Sequence, residues 1–210
     1  MSDVKGQPGS RAARGARTRA GIVQAAYELF CEAGYRSTTM EAIAERTGVA
    51  VQTVYFNFRT KDLLLQAVHA WTVLGDNPMP PPLQPWHREA MEANDGPTAL
   101  RRLSTGHATL NARVAPLLPV FYTVASDPAG EIWRRSEDLR RSDMTLLLDA
   151  LTQKTRLRRG LPRRRAADLL HVILGPECYR AFVIDLGWTS KEWAAWASTT
   201  LAQDLWRTDQ

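Results

Sequence analysis

Residues 38–61 read TTMEAIAERTGVAVQTVYFNFRTK, and this stretch decides the fold of the N-terminal part of the chain. Thr38 precedes Glu41 by three residues, which is the spacing of a capping box and predicts the start of a short helix. Gly48 can adopt the left-handed conformation that often ends a helix, so it predicts a tight turn. A second short helix is predicted from about Val51 to Asn57. Its small and polar first residues are typical of a helix that enters the major groove of DNA.

The run GVAVQTVYFNFRTKDLL, residues 48–64, resembles the signature of the tetracycline-repressor (TetR) family of bacterial transcription regulators. Members of that family tend to read G-V-S-x-x-T-(L/V)-Y-x-(Y/H)-F-x-x-K-x-x-L at this point. Ala50 replaces the usual serine, and Asn57 stands where tyrosine or histidine is commoner. The resemblance is close over residues 17–75. The matching residues are Gly48, Val49, Thr53, Val54, Tyr55, Phe58, Lys61 and Leu64.

This resemblance implies an all-α, dimeric protein of about nine helices, with an N-terminal three-helix helix-turn-helix domain and a C-terminal helical bundle. We expect the DNA-binding domain to occupy residues 17–60, and a ligand-binding and dimerisation domain to occupy residues 61–210. Residues 1–16 are rich in Gly, Ser, Ala and Arg, and we expect them to form a disordered basic arm. The last two helices carry more apolar surface than a lone helix needs, which predicts that they form the homodimer interface.

By resemblance, contacts to the phosphates of DNA are expected from Thr39, Tyr55 and Lys61. Asn57 stands at a further position where the family places an aromatic or imidazole side chain against phosphate. The basic residues before the helix-turn-helix predict an arm that touches phosphate or the minor groove, and a solvated tail is an equally good interpretation. The arginines of this arm are Arg11, Arg14, Arg17 and Arg19.

Gln52 and Thr53 are the predicted base readers of the second helix. Glutamine can bond adenine through two hydrogen bonds, and threonine can contact the methyl group of thymine. Ala50 and Val51 lie beside them and are expected to add apolar contacts. The sequence therefore predicts a double-stranded DNA operator as the partner of this segment.

Composition and charge favour the same class of partner. The 210 residues carry a net charge of +5 and a pI of about 9.6, which suits a polyanion. The N-terminus has no apolar core typical of a signal peptide, and no apolar run is long enough for a membrane span, so we expect a cytoplasmic protein without a membrane partner. Cys31 and Cys178 lie far apart in apolar segments, and we interpret them as buried free thiols.

Catalytic and metal-binding patterns are missing from the sequence. The four histidines are isolated at any metal-ligand spacing, and there is no nucleophile elbow, phosphate-binding glycine loop or dinucleotide fingerprint. We therefore expect no metal, no cofactor and no enzymatic activity. Two alternatives stay open: a helical module that binds small molecules without regulating DNA, and a small-molecule enzyme on a helical scaffold.

The chain changes character at residues 75–97, where six prolines predict an ordered loop without helix until about Thr98. Trp86 in this loop is expected to fill a surface groove. A helix beginning at Asp127-Pro128 is predicted to reach about Arg156 and to bury Ile132, Leu139, Leu146, Leu147 and Leu151. The basic run KTRLRRGLPRRR, residues 154–165, is interpreted as a solvated surface between helices rather than a DNA-binding patch.

The C-terminal helices are expected, by resemblance, to enclose a pocket for a small hydrophobic effector. A ligand that prefers the form unable to bind DNA would then release the operator. Aromatic and methionine side chains at helical spacing are more often part of a core than of a pocket, and this interpretation stays open for every candidate. The candidate lining residues are Phe121, Tyr122, Trp133, Met144 and His171.

Overall fold

The computed structural model describes residues 8–76 and 78–206, and every regular element in these two ranges is helical. A 3-10 turn occupies Pro81–Leu83, another Ala115–Leu117, and a π-helical segment spans Arg180–Asp185. The predicted all-α fold class is confirmed. The α-helices are α1 Pro8–Ala33, α2 Met40–Thr47, α3 Val51–Phe58, α4 Lys61–Leu74, α5 Pro85–Met91, α6 Gly96–Val114, α7 Leu118–Thr123, α8 Gly130–Lys154, α9 Arg163–Ile173, α10 Pro176–Tyr179 and α11 Ser190–Trp206.

The chain divides into two compact units. The N-terminal unit ends at Trp71 and the C-terminal unit begins at Thr72, so the division falls inside α4. The sequence placed the domain boundary between residues 60 and 61, at the start of this helix. In the part of the chain that the structure describes, no helix combines the length and apolar character needed to cross a membrane.

Helix α1 begins at Pro8, within the segment that was expected to form a disordered arm. The prediction of a disordered arm over residues 1–16 is therefore wrong for residues 8–16, and residues 1–7 lie outside the described part of the chain. Alanine and arginine are strong helix formers, and proline is tolerated at the first position of a helix. The helix propensity of the alanines and arginines in this segment therefore outweighs the unfavourable effect of its two glycines.

The helix-turn-helix forms as the sequence indicates, with one change at the start of α2. The N-cap is Thr39 rather than Thr38, and its hydroxyl accepts a hydrogen bond of 3.1 Å from the Ala42 amide. The hydroxyl of Thr38 is instead buried and donates to the carbonyl of Gly34 at 2.8 Å. Gly48 ends α2 with φ of 69°, the left-handed conformation that the turn requires.

In the C-terminal unit, α6 packs most extensively against α11 and α5, while α8 packs against α9. The core is built from aliphatic side chains of these helices around the fully buried Trp193. The chain is interrupted at Pro176, since α9 ends at Ile173 and α10 begins at Pro176. Proline cannot continue the hydrogen-bonding pattern of α9 because it lacks an amide hydrogen.

The proline-rich segment contains more helix than the sequence predicted. Helix α5 begins at Pro85 and α6 begins at Gly96, so the prediction of no helix before about Thr98 is wrong. Proline at the first turn of a helix costs no hydrogen bond, and Asp95 caps α6 by accepting from the Thr98 amide at 2.7 Å. Trp86 packs over Gly106, as the groove-filling prediction implied.

The burial pattern of α8 differs from the prediction. Leu147 and Leu151 are buried, but Leu139 and Leu146 are 64% and 65% exposed. Helix α8 has two apolar stripes, and the one that contains Met144 and Leu148 faces the core. Cys31 is exposed and Cys178 partly exposed, so the predicted free thiols are present but the burial of Cys31 was wrong.

Candidate nucleic-acid interface

Helix α3 has one buried and one exposed face. Val54 and Phe58, four residues apart, are 0% and 2% exposed and anchor the helix in the N-terminal unit. Gln52 and Phe56, also four residues apart, point away from this core, and Phe56 is 87% exposed. The side chains of an α-helix repeat every 3.6 residues, so the exposed pair lies roughly opposite the buried pair. One complete face of α3 is therefore free to meet a partner.

The predicted base readers and their apolar neighbours differ in how far they are exposed. Gln52 and Ala50 are exposed, whereas Val51 and Thr53 are half-buried. The structure brings these four residues together at the first turn of α3. The N-terminal end of a recognition helix is the part that contacts base edges in helix-turn-helix proteins.

Thr39 and Tyr55, two of the predicted phosphate contacts, differ in whether their hydroxyl hydrogen is available for DNA. The Thr39 hydroxyl accepts from the Ala42 amide, which leaves its own hydrogen able to donate to a phosphate oxygen. Tyr55 is 44% exposed, and its hydroxyl donates at 3.4 Å to the carboxylate of Glu41. A phosphate contact from Tyr55 would require this long hydrogen bond to break.

Asn57 is turned back onto its own helix. Its side-chain amide donates to the carbonyl of Thr53 at 2.8 Å, and its backbone carbonyl accepts from Arg19 at 3.0 Å. The half-buried side chain of Asn57 therefore bonds to the backbone of the last turn of α3 in this structure. A phosphate contact from Asn57 would require this hydrogen bond to break.

Lys61 is held by the turn between α1 and α2. Its ammonium group donates to the carbonyls of Tyr35 at 2.8 Å and Thr38 at 2.9 Å, with the Arg36 carbonyl at 3.5 Å. The ammonium also lies 4.4 Å from the centre of the Tyr35 ring. An ammonium has three hydrogens, and three carbonyls surround this one. Partial burial lowers the pKa of Lys61.

The four arginines of the predicted arm lie on α1. Arg11, Arg14 and Arg17 are exposed, and none of the residues 8–27 is acidic. Arg19 differs because its guanidinium lies 4.2 Å from the centre of the Phe58 ring while it donates to the Asn57 carbonyl. Arg19 therefore joins α1 to α3. The other three arginines form an exposed basic surface on the N-terminal part of α1.

Phe56 lies on this face but was not among the predicted site residues. Its position in the family signature is variable, so the resemblance assigns it no role. The spacing of Val54 and Phe58 could have identified it, because a residue midway between two core positions four apart must point outward. A phenylalanine that is 87% exposed on a candidate recognition helix is unusual, since large apolar side chains tend to be buried.

The five candidate pocket residues of the C-terminal unit lie in different surroundings, and their role as a pocket stays a prediction. Phe121 is buried and stacks on Trp133, with ring centres 5.0 Å apart. Met144 belongs to the core, Tyr122 is exposed, and His171 is buried. A surface groove of about 360 Å³ between α8 and α9 contains none of these five. It is lined by Arg141, Thr145, Leu148, Asp149, Arg163, Arg164, Ala167 and Asp168.

His171 belongs to a polar cluster between α8, α9 and α10. Arg140 donates to the carboxylate of Glu137 at 2.7 Å and to the carbonyl of His171 at 2.5 Å. Burial, followed by the charge of Arg140, lowers the pKa of His171, while burial raises the pKa of Glu177. Among the described residues, no group of three His, Cys, Asp or Glu side chains could hold a metal ion.

These features define the N-terminal unit as a helix-turn-helix DNA-binding domain. Residues 22–68 match the family model described as bacterial regulatory proteins, tetR family. Over 51 residues the chain is 39% identical to the HTH-type transcriptional regulator UidR of Escherichia coli K12. This match spans 24% of the chain and 26% of UidR, about a quarter of the relative's length. The N-terminal domain is therefore similar to the DNA-binding domain of the TetR family of transcriptional regulators.

Solved structures resemble the whole chain in fold. SmeT, in a complex with triclosan, is 22% identical with a TM-score of 0.69, over 91% of this chain and 92% of SmeT. The fatty acid degradation regulator FadR from Bacillus halodurans is 20% identical with a TM-score of 0.67, over 88% of this chain and 94% of FadR. At these identities the likeness concerns the fold alone.

Proposed function

We propose that this chain is a transcriptional repressor that binds a pseudo-palindromic operator as a homodimer and is released from it by a small hydrophobic ligand. The observation that carries the proposal is the free face of α3, held outward by two buried anchors. Because the operator would lie in bacterial DNA, the protein would act in the cytoplasm. Two recognition helices related by two-fold symmetry then meet half-sites about 34–36 Å apart, or a multiple of that distance.

The residues at the first turn of α3 would read bases. Gln52 reads adenine and Thr53 a thymine methyl group, with apolar support from Ala50 and Val51. Thr39 and Tyr55 would hold phosphates and fix the position of α3 in the groove. The exposed arginines of α1 would extend the phosphate contacts beside the half-site; they are Arg11, Arg14 and Arg17.

Lys61 would act by positioning rather than by touching phosphate. Its hydrogen bonds to the Tyr35 and Thr38 carbonyls connect the start of α4 to the turn that precedes α2. Thr38 is followed directly by Thr39, the N-cap of α2 and a proposed phosphate contact. Asn57 and Arg19 would similarly hold the end of α3 against α1.

The homodimer would form through the C-terminal helices. Phe182, Trp188 and Trp196 make an aromatic cluster, with the Phe182 and Trp196 ring centres 4.3 Å apart. Ile184 and Leu186 beside this cluster are exposed. Exposed apolar residues next to a partly covered aromatic cluster support a self-complementary interface with a second copy.

The effector would be hydrophobic. SmeT has been solved with triclosan, and FadR from Bacillus subtilis, 18% identical to this chain, with stearoyl-CoA. The stacked Phe121 and Trp133, together with Met144, offer apolar surface of the same kind, with His171 and Tyr122 as the polar groups. A ligand inserted among them acts on DNA binding only if it favours one of two conformations of the dimer.

Footprinting of the purified protein on its own upstream intergenic DNA, at two salt concentrations, tests the proposal. We expect protection of a short inverted repeat that persists at the higher salt. Gln52→Ala should relax sequence preference by about 1–3 kcal/mol at one base pair, because its two hydrogen bonds to adenine are lost. Gln24→Ala, an exposed glutamine on α1, is the matched control and should leave the footprint unchanged.

Sequence-independent binding that disappears as salt rises would contradict the operator proposal. Such binding reflects release of counterions from DNA and carries no base recognition. It would favour the alternative of a helical module that binds small molecules without regulating DNA. An inverted repeat that Gln52→Ala protects as selectively as the wild type would remove only the role of Gln52.

A further inference from the structure

The exposed face of α3 carries no charge. The helix reads VQTVYFNF, and neither its first nor its last turn contains an acidic or a basic residue. The side chains that reach solvent from its free face are Gln52, Tyr55 and Phe56, with Thr53 half-buried beside them. The nearest arginines along the chain lie on either side of α3: Arg46 is in α2 and Arg59 is the C-cap of α3.

This composition favours direct readout of two of the four bases, adenine and thymine. In the major groove, arginine or lysine reads guanine, and aspartate or glutamate accepts from the amino group of cytosine. Glutamine reads adenine, and apolar side chains such as phenylalanine contact the methyl group of thymine. Helix α3 carries glutamine and phenylalanine on its free face, and it lacks every charged reader.

We infer that α3 reads A·T base pairs, with Gln52 bonding adenine and Phe56 covering the 5-methyl group of a thymine. The inference rests on the proposed function and specifies the class of operator: the base pairs beneath α3 are A·T. Phe56 is 87% exposed, so covering its ring with an apolar group of the DNA is favourable. The thymine methyl is the apolar group that the major groove presents.

The flanking arginines fit this division of labour. Arg46 is held at 2.9 Å by Glu32 on α1, so it braces α2 against α1. Arg59 is exposed at the end of α3, beyond the last turn that faces the bases. The exposed cation at the end of α3 suits a phosphate, while the uncharged face of α3 suits base edges.

The first experiment selects preferred sites from a pool of DNA with randomised sequence, using the full-length protein. We expect an inverted repeat whose half-sites contain A·T pairs at the central contacted positions. Enrichment of G·C pairs at those positions would overturn the inference while leaving the proposed function in place. A pool that yields no preferred sequence would overturn both, so the two failures are distinguishable.

The second experiment replaces single thymines of the selected site by uracil, which removes only the methyl group. Loss of one methyl-sized apolar contact should weaken wild-type binding about fourfold at one thymine in each half-site. Phe56→Ala should bind the uracil and thymine sites equally, and Phe56→Leu should retain part of the difference. If Phe56→Ala keeps the full difference between thymine and uracil, the role of Phe56 is wrong. Thermal unfolding of both variants checks that the fold is unchanged.

Discussion

Replacement of Lys61 by methionine should destabilise the protein without changing the salt dependence of DNA binding. Methionine keeps the length of the side chain and removes the ammonium. The substitution leaves the carbonyls of Tyr35 and Thr38 without the donor that now reaches them at 2.8 and 2.9 Å. Tyr35 and Thr38 are 8% and 2% exposed, so water is poorly placed to replace the lost donor.

The expected loss of stability follows from these contacts. Hydrogen bonds to a charged group contribute about 1.5–3 kcal/mol each, and a cation over an aromatic ring adds about 0.5–1 kcal/mol. Lys61 is only partly buried, so solvent weakens these contacts. We therefore expect a net loss of about 2 kcal/mol, which corresponds to a fall in melting temperature of about 4–8 °C for a chain of this size.

Chemical denaturation without DNA measures the stability, and operator binding over a range of salt concentrations measures the phosphate contacts. Lys191→Met, at an exposed lysine on α11, should change stability by less than about 0.5 kcal/mol. Lys154→Met should destabilise like Lys61→Met, because Lys154 donates to the carbonyls of Met91 at 2.5 Å and Ala93 at 2.8 Å. Lys191→Met therefore shows the small loss of stability expected at an exposed lysine, and Lys154→Met shows the larger loss expected where a lysine donates to two carbonyls.

The positioning role of Lys61 is wrong if Lys61→Met unfolds like the wild type and binds DNA with a shallower salt dependence. Each phosphate contact contributes about 0.9 to the slope of log K against log salt. A slope reduced by about this amount would mean that the ammonium leaves the turn to meet a phosphate. An unchanged slope with weaker affinity would mean that the lysine acts through the shape of the turn.

Three further outcomes are expected. Thr39→Ala should cost about 0.5–2 kcal/mol in denaturation because α2 loses its N-cap, and Thr39→Ser should restore most of it. Gly106→Ala should cost about 1–3 kcal/mol, since its Cβ would meet the Trp86 ring at 2.2 Å, whereas Gly21→Ala, with open space around it, should stabilise α1 by about 0.5–1 kcal/mol. Burial lowers the pKa of His107 from 6.5 to about 4, so the unfolded chain binds its proton first and stability should fall as the pH drops from about 6.5 towards 4. Denaturation at several pH values should show a flatter profile for His107→Gln.

Local sequence predicted the helix-turn-helix well because each of its parts has a local cause. Gly48 was expected to be left-handed and has φ of 69°, and α3 was expected from about Val51 to Asn57 and spans Val51–Phe58. The choice between Thr38 and Thr39 was not local. Both residues are good N-caps, and the burial of Thr38 against the Gly34 carbonyl assigns the cap to Thr39.

The C-terminal unit was harder to predict because its long helices carry more than one apolar stripe. On α8, Leu139 and Leu146 follow the same spacing as residues that are buried, yet the stripe with Met144 and Leu151 faces the core. Periodicity shows that a stripe exists, and the packing of α9 and α6 against α8 decides which one is covered.

Lys61 shows why a family motif and its physical role can diverge. A basic residue at the start of a helix beside DNA is expected at phosphate, and nothing in the sequence reveals that the Tyr35 and Thr38 carbonyls converge on it. The contact joins residues 23 and 26 positions apart. In this position Lys61 holds the residue that precedes Thr39, while the Tyr35 hydroxyl donates to the carboxylate of the adjacent Asp62. The start of α4 and the start of α2 are therefore fixed to one turn, and under the proposed positioning role Lys61 would set the orientation of Thr39 without meeting a phosphate itself.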